Sequence, residues 1–289
     1  MTHDDDQDDR HDRGLQYDLG TLRWQRRRVI QMVSGMALVV LVGCTTKESQ
    51  PAVTSTPGGP STSAVLTLTV TPIPTSATPV SACTVIPTET EGPYPGDGTN
   101  GPNALKQSGI VRRDIRSSVG TSTTRAEGVP LSVALTIVDT KNGCKPMAGA
   151  AVYAWHCDRA GRYSMYTQGV TNENYLRGVQ EADANGVVHF DTIFPAAYQG
   201  RWPHIHFEVY PTLAKASSSA NKIATSQLAL PEAESNAVYA TAGYEQSVAN
   251  MKQTPLSRDI VFSDGVTTQM PTISGNVKDG YQAALVVGL

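Results

Sequence analysis

Short strand-like runs separated by turn residues constrain the fold of this chain more than any other feature. Apolar or alternating runs occupy residues 131–138, 150–157, 186–194 and 204–210, and the turn sequences DTKNG, DRAG and DANG lie next to them. Runs of this length and composition are typical of strands, and Asp, Asn and Gly are typical of the turns between strands. This spacing predicts an all-β fold, a sandwich of mostly antiparallel strands with long loops, rather than a parallel α/β sheet.

The remaining sequence of this part is less regular. Residues 231–252 fit either a short helix or an irregular excursion, and a last strand pair is predicted around Val261 and Val286. There is no GxGxxG, no P-loop and no repeat, so no nucleotide cofactor is indicated. The net charge is −3 and 17% of the residues are charged, which gives no basic excess for nucleic acid and favours a small-molecule partner.

The amino-terminal residues 1–44 have the composition of an export signal. An Asp-rich start is followed by several arginines, then by the apolar run Val29–Val42, and the segment ends at Cys44. This order resembles a bacterial lipoprotein signal, in which Cys44 is lipidated and anchors the protein to the outer face of the cytoplasmic membrane. The run RRRVI also resembles a twin-arginine signal. An uncleaved anchor helix is the alternative, although a permanent span needs about 20 apolar residues.

Residues 45–82 are rich in Ser, Thr and Pro and carry few charges, which predicts a disordered linker. An alternative for part of it is an edge strand at Ala64–Val70, where apolar and Thr residues alternate. Residues 83–289 then form a single β-sandwich domain of about 200 residues.

The cysteines fit an oxidising compartment. Without Cys44, an odd number remains: Cys83, Cys144 and Cys157. One disulfide plus one buried thiol is the simplest account. Because Cys157 lies in an apolar strand, we expect Cys83 to pair with Cys144, although spacing alone does not fix the connectivity. The chain has no CxxC spacing, so its cysteines are not indicated as metal ligands.

A metal-binding pattern lies in the strand at 204–210. His204 and His206 are two residues apart, so their rings leave the same face of a strand and can reach one ion. Two histidines on one face are as often surface or hydrogen-bonded core residues as ligands. Two tyrosines in neighbouring loops, Tyr198 and Tyr163, favour the metal interpretation.

Five segments of the chain occur in the order found in one enzyme family. Over about residues 83–232 the chain resembles the intradiol ring-cleavage dioxygenases, through the segments TEGPY (90–94), VYAWHCDRAGRY (152–163), YLRGVQ (175–180), DANG (183–186) and PAAYQGRWPHIHF (195–207). This resemblance implies a non-haem Fe(III) enzyme that cleaves a catechol-type ring with O2 to a muconate-type diacid.

The resemblance also implies a role for individual residues. Tyr163, Tyr198, His204 and His206 fall on the four metal ligands of the family. Tyr198 is the ligand that would leave the metal when substrate binds and take one catechol proton. Arg201 falls on the active-site arginine, which stabilises negative charge on the ring, and Gln227 falls on the active-site glutamine. The family's cytoplasmic catechol enzymes have a helical dimerisation region in the place of this chain's signal and linker, so no dimer is implied.

Two other functions remain open on the sequence. A tethered sandwich of this kind is also expected of a non-catalytic binding module for carbohydrate or protein, but such a module does not need the four ligands and Arg201. A copper or zinc protein using the histidine pair would need further ligands nearby, and residues 195–207 contain no acidic residue.

Three further residues, two histidines and a tyrosine, lie outside the proposed ligand set. His156 and His189 match no ligand position, and we expect a structural role for His156 and a solvent-facing position for His189. The segment with Tyr94 is expected near the mouth of the site.

Overall fold

The structure is a computed structural model that describes residues 83–289. The predicted signal at 1–44 with Cys44, the predicted linker at 45–82 and the alternative edge strand Ala64–Val70 lie outside the described residues. Within residues 83–289, no helix is both long enough and apolar enough to span a membrane.

The described chain forms nine strands and two α-helices. In chain order the strands are β1 (Pro130–Asp139), β2 (Lys145–Pro146), β3 (Ala151–Trp155), β4 (Arg177–Glu181), β5 (Val187–Ile193), β6 (His204–Tyr210), β7 (Ala224–Ala229), β8 (Thr272–Asn276) and β9 (Gly280–Gly288). The helices are α1 (Glu232–Tyr239) and α2 (Glu245–Gln253). The all-β prediction is confirmed, and the irregular region at 231–252 contains both helices.

The strands form two sheets that pack as a sandwich. In the first sheet the order is β2, β1, β9, β8, and β5 also pairs with β1; in the second it is β4, β3, β6, β7. All pairs are antiparallel except β1 with β9. The β6 prediction agrees with the structure at both ends. The prediction of a strand at Val261 was wrong: Val261 lies buried beside a short 3₁₀ turn, and the strand that pairs with β9 is β8.

The hydrophobic core lies between the sheets and follows from alternation. On β1 the side chains of Leu131, Val133, Leu135 and Ile137 are buried, while the residues between them are partly exposed. Burying each large aliphatic side chain stabilises the fold by about 1.5–3 kcal/mol.

Strand β6 differs from β1 because it is buried on both faces. Ile205, Phe207 and Val209 point into the sandwich core. The alternate residues, which include His204 and His206, lie on the opposite face of the second sheet and are also buried. The loops that cover this face therefore enclose polar side chains, which is unusual unless those side chains are bonded or functional.

The cysteine prediction is confirmed. Cys83 and Cys144 form a disulfide, and Cys157 is a buried free thiol that donates to the carbonyl of Ala196. Gly143 and Cys144 both have positive φ, so the chain reverses direction after β1 and Cys144 lies beside Cys83.

Candidate active site

A row of four side chains crosses the outer face of the second sheet. Strand register pairs Arg177 with Trp155, Trp155 with His206 and His206 with Gln227. Directly paired residues of neighbouring strands project to the same side of a sheet. The row therefore places one predicted metal ligand between a large aromatic ring and a glutamine, with Arg177 at one end. Trp155 stacks on His206 with ring centroids 4.9 Å apart.

His204 and His206 present their Nε2 atoms to each other. The two nitrogens are 3.0 Å apart. Nδ1 of His204 donates to the carbonyl oxygen of Trp202 at 2.5 Å, which leaves a lone pair on Nε2. Nδ1 of His206 is buried and has no hydrogen-bond partner among residues 83–289, so this ring is oriented by stacking on Trp155.

Both imidazoles are held in the neutral form. Burial lowers the pKa of His204 well below its usual value, and the nearby Arg201 lowers it further. Burial also lowers the pKa of His206, with a further decrease from His204. A neutral imidazole with a free lone pair is the form that binds a metal ion.

The two tyrosines approach the histidine pair from different loops. Oη of Tyr198 lies 3.2 Å from Nε2 of His204. Tyr163 meets Tyr198 edge-on with ring centroids 5.8 Å apart and His206 at 6.3 Å. Gly161 permits this approach, because a Cβ atom at that position would lie 3.2 Å from Cβ of Tyr198.

The two phenols differ in burial. Tyr163 is 2% exposed, and its Oη has no hydrogen-bond partner in the described part of the chain. Burial raises the pKa of Tyr163 well above its usual value, and the neighbouring Tyr198 raises it further. Tyr198 is partly exposed. A buried phenol without a partner costs free energy unless a cation binds its oxygen.

The donor set fits a ferric ion. Two atoms that each lie about 2.1 Å from one ion and at a right angle are about 3 Å apart, which is the separation of the two imidazole nitrogens. Phenolate oxygens are hard ligands suited to iron in its ferric state, and neutral imidazoles add no charge. The unpaired oxygen of Tyr163 completes a set of two oxygen and two nitrogen donors. The structure thus brings the four predicted ligands together, and their role as ligands stays a prediction.

Arg201 and Gln227 lie directly beside the four donors. Nη2 of Arg201 donates to Oε1 of Gln227 at 2.7 Å, and Nη1 is 3.5 Å from Nε2 of His204. Nε2 of Gln227 donates to the carbonyl oxygen of Thr90. Arg201 and Gln227 are both buried, so their hydrogen bonds form in a region of low dielectric constant. Both predicted positions therefore belong to the same cluster as the donors.

Sequence reasoning missed Asp259. Its Oδ2 accepts from Nε of Arg201 at 3.0 Å, and both side chains are almost fully buried. The sequence signal was slight: an aspartate stands directly before the apolar run IVF (260–262).

Arg177 was also missed as a functional candidate. It is 0% exposed and donates five hydrogen bonds, all to neutral oxygens: the carbonyls of Tyr94, Pro95 and Ser164 and the hydroxyls of Tyr153 and Ser164. These bonds join the segment that contains Tyr94 and Pro95 to the loop that carries Tyr163.

The segment around Tyr94 lies beside the site, as expected. The ring of Tyr94 is 5.1 Å from that of Tyr163 and 5.2 Å from that of Tyr166. Gly92 has φ +69°, and a Cβ atom there would lie 3.2 Å from Cε1 of His206. The backbone of this segment therefore packs against the edge of one predicted ligand.

The two other histidines have the expected positions. His156 is buried and hydrogen-bonded to Thr192 and to the carbonyl of Cys157, and burial lowers its pKa to about 4. His189 is exposed on β5.

Three carboxylates form a second cluster on the same side of the second sheet. Oxygens of Glu91, Asp97 and Glu208 lie within 4.8 Å of one another, close enough to hold a metal ion. The ammonium group of Lys222 is bound to all three of them. A lysine already supplies the positive charge at this position, so the cluster is a structural ion-pair network.

Residues 100–216 match the Dioxygenase_C family model, described as a dioxygenase. The matched region contains Tyr163, Tyr198, Arg201, His204 and His206, while Gln227 and Asp259 lie beyond it. The comparison with curated proteins gives no match.

Solved structures give the second comparison. An intradiol ring-cleavage dioxygenase from Tetranychus urticae is 27% identical, with a TM-score of 0.56, over 71% of this chain and 94% of that one. The dioxygenase domain of a dioxygenase carbohydrate-binding protein fusion from Streptomyces sp. SirexAA-E is 23% identical, with a TM-score of 0.45, over 71% and 98%. The chain is thus similar to a dioxygenase family model over residues 100–216 and, in sequence and fold, to a solved intradiol ring-cleavage dioxygenase.

Proposed function

We propose that this protein is a non-haem Fe(III)-dependent intradiol dioxygenase that cleaves a catechol-type ring with O2 to a muconate-type diacid. The observation that supports this most directly is the convergence of two phenols and two neutral imidazoles beside a buried arginine. The reaction balances without another reductant, because both oxygen atoms of O2 enter the product. When held by these residues, ferric iron would supply the activation of the catechol ring toward O2.

The residues of the chain have separate tasks in this proposal. Tyr163, Tyr198, His204 and His206 would hold the metal. Tyr163 is buried and stays in place, whereas Tyr198 is partly exposed on a loop and is the ligand able to leave. When it leaves, its oxygen takes one proton from the catechol and becomes a neutral phenol.

Arg201 stabilises the negative charge that develops on the substrate. Its Nη1 lies 3.5 Å from Nε2 of His204. A preorganised N–H donor in a site sheltered from water acts more strongly than it would in bulk solvent. Gln227 has both ends of its amide in hydrogen bonds, to Arg201 and to the Thr90 carbonyl, so it holds Arg201 in place.

The cellular location is part of the proposal. We propose that residues 1–44 direct export and that lipidated Cys44 attaches the protein to the outer face of the cytoplasmic membrane, with 45–82 as the linker. The Cys83–Cys144 disulfide supports an oxidising compartment. The test is labelling with a radioactive fatty acid: the wild-type protein is expected to be labelled and Cys44→Ala is not.

The test of the activity is a visible spectrum of residues 83–289 loaded with Fe(III), before and after a catechol is added. A tyrosinate-to-iron charge-transfer band that shifts with catechol, together with ring-cleaved product, is expected. Tyr163→Phe should weaken the band, whereas the matched control Tyr166→Phe, whose hydroxyl binds Asn100 and the Gly96 amide, should keep it. An iron-loaded protein without the band would reject the dioxygenase proposal and favour a binding module.

A further inference from the structure

The predicted active-site arginine is held by a carboxylate from a distant part of the chain. Asp259 follows the 3₁₀ turn Leu256–Arg258, 58 residues after Arg201. It is 0% exposed. Buried aspartates are rare unless they are paired, and each oxygen of Asp259 accepts at least two hydrogen bonds.

Both oxygens of Asp259 contact Arg201, because Nη2 of Arg201 also lies 3.5 Å from Oδ1, and each oxygen has backbone donors as well. Oδ2 accepts from Nε of Arg201 at 3.0 Å and from the backbone N–H of Trp202 at 2.7 Å. Oδ1 accepts from the backbone N–H groups of Val261 at 2.9 Å and Phe262 at 3.0 Å. One carboxylate thus joins the loop before β6 to the turn at 259–262.

These contacts determine how the guanidinium of Arg201 is oriented. Asp259 binds Nε, and Gln227 binds Nη2 from another direction. Two planar contacts at different nitrogens fix both the position and the rotation of the group. Nη1 is thereby directed toward His204, 3.5 Å from its Nε2.

Asp259 also places an aromatic ring beside the same guanidinium. Phe262, whose N–H binds Oδ1, lies with its ring centroid 5.8 Å from Cζ of Arg201 and 6.4 Å from the His204 ring. The apolar ring limits water around the guanidinium, which strengthens the hydrogen bonds that its N–H groups donate to a negative substrate.

We propose that Asp259 is a positioning residue for the ring-cleavage reaction: it holds Arg201 so that Nη1 faces the substrate. This inference rests on the proposed dioxygenase function. Because the carboxylate also neutralises the arginine, Arg201 acts through a directed N–H donor rather than through net charge. Asp259 itself does not contact substrate.

The experiment compares four iron-loaded proteins: wild type, Asp259→Asn, Arg201→Gln and the double variant. Asp259→Asn is expected to lower kcat at least tenfold, the effect of misplacing one preorganised donor. Iron content, the charge-transfer band and the catechol Kd measured from the band shift should stay within about threefold of wild type, because no ligand is changed. In the Arg201→Gln background, Asp259→Asn should change kcat less than about twofold, since its effect passes through Arg201.

The matched control is Asp183→Asn, an aspartate that caps the turn between β4 and β5 through the N–H groups of Asn185 and Val187. It should leave kcat unchanged. If Asp259→Asn does not fold, Asp259→Glu decides, because it keeps the charge but displaces the carboxylate by one methylene; a lowered kcat at normal iron content is expected.

Three results overturn the inference: an unchanged kcat in Asp259→Asn, an unchanged kcat in Asp259→Glu where that variant decides, or an equal loss from Asp259→Asn in both Arg201 backgrounds. A wild-type protein with iron but without ring cleavage would instead overturn the proposed function, which separates the two failures.

Discussion

The two buried arginines of the site, Arg177 and Arg201, have opposite kinds of surroundings. Arg177 stands at one end of the row that crosses the second sheet, and Arg201 binds Gln227 at the other end. Arg201 forms an ion pair with Asp259, whereas all five hydrogen bonds of Arg177 in residues 83–289 go to neutral oxygens.

The two arginines therefore make different contributions to the site. A paired arginine is nearly neutral as a unit, so its value lies in the direction of the donor that remains. An arginine bound only to carbonyls and hydroxyls keeps its charge and joins backbone segments. We infer that Arg177 holds the covering segment around Tyr94 against the Tyr163 loop, while Arg201 acts on the substrate.

The largest expected effect comes from Arg177→Met. Three backbone carbonyls and two hydroxyls would lose a buried donor. The Pro95 carbonyl and the Tyr153 hydroxyl keep their bond to each other and the Ser164 hydroxyl keeps its bond to Tyr175, so only some of the five groups are left unsatisfied. At about 1–3 kcal/mol for each such group, we expect a loss of about 3–5 kcal/mol in the free energy of unfolding. Arg177→Lys should restore only part of it, because an ammonium has three donors rather than five. Urea unfolding measures both.

The same unfolding measurement distinguishes the roles of Arg177 and Arg201. Arg201→Gln leaves the carboxylate of Asp259 buried without its cationic partner, and a second substitution, Asp259→Asn, should recover stability. No carboxylate stands in the same relation to Arg177 within the described chain, so no such recovery is expected there. An Arg177→Met variant as stable as wild type would contradict this account of Arg177.

A smaller effect is expected from Gly92→Ala, which tests whether the segment held by Arg177 also sets His206. Positive φ costs a non-glycine residue about 1–2 kcal/mol. The added methyl group would also press on the imidazole, 3.2 Å from Cε1. We therefore expect weaker iron binding as well as lower stability, measured by metal titration and urea unfolding.

The control for Gly92→Ala is Gly101→Ala. Gly101 has φ +119°, and no heavy atom lies within 4 Å of the added Cβ position. It should lose stability through backbone strain and keep its iron affinity. Equal iron affinities in the two variants would mean that Gly92 does not constrain His206.

The smallest expected effect is a pH dependence of the melting temperature that comes from Glu89, a carboxyl group near Arg201. Burial and the nearby Asp264 raise the pKa of Glu89, which accepts a hydrogen bond from Gln269, to about 7. Its folded pKa exceeds its unfolded pKa, so its contribution to stability is complete below about pH 4 and is lost as the pH rises through 7. The melting temperature should fall less between pH 5 and pH 8 in Glu89→Gln than in wild type.

Other groups around Glu89 define the control for this measurement. Arg201 lowers its pKa, and Asp259 and Asp264 raise it. On the Arg177 side, burial raises the pKa of Glu208 to about 7 as well. Glu208 is present in both proteins, so the difference between Glu89→Gln and wild type isolates Glu89. If Glu89→Gln and wild type lose equal stability between pH 5 and pH 8, Glu89 is not the titrating group.

Much of the fold was predictable because alternation is a local property. The bounds of β6 and the shared face of His204 and His206 follow from a period of two. Strand β7 was not predicted, because it is buried on both faces and carries polar Ser226 on one face and polar Gln227 on the other, which interrupts the apolar pattern of a strand. Strand β4 was missed for a similar reason: Arg177 is a charged residue that tertiary contacts alone make buried.

The site was predictable where motifs carry it and unpredictable where contacts between distant segments carry it. The four proposed ligands, Arg201 and Gln227 lie in segments that resemble those of a known family. Asp259 lies in an irregular turn, and its pairing with Arg201 depends on how the loops after α2 fold back. No local sequence pattern specifies such a contact, so it is visible only in the three-dimensional structure.

The single parallel pair has a consequence for the order of events during synthesis. Strand β9 lies between β8 and β1, and its register with β1 joins Leu131 to Tyr281 and Val138 to Gly288. Until residue 288 has been made, β1 lacks this neighbour and its edge is open to pairing with another chain. Contacts between segments so distant in sequence also form slowly. In a nascent chain this sheet therefore stays incomplete until β9 has been synthesised, which favours protection of β1 from aggregation by a chaperone during that time.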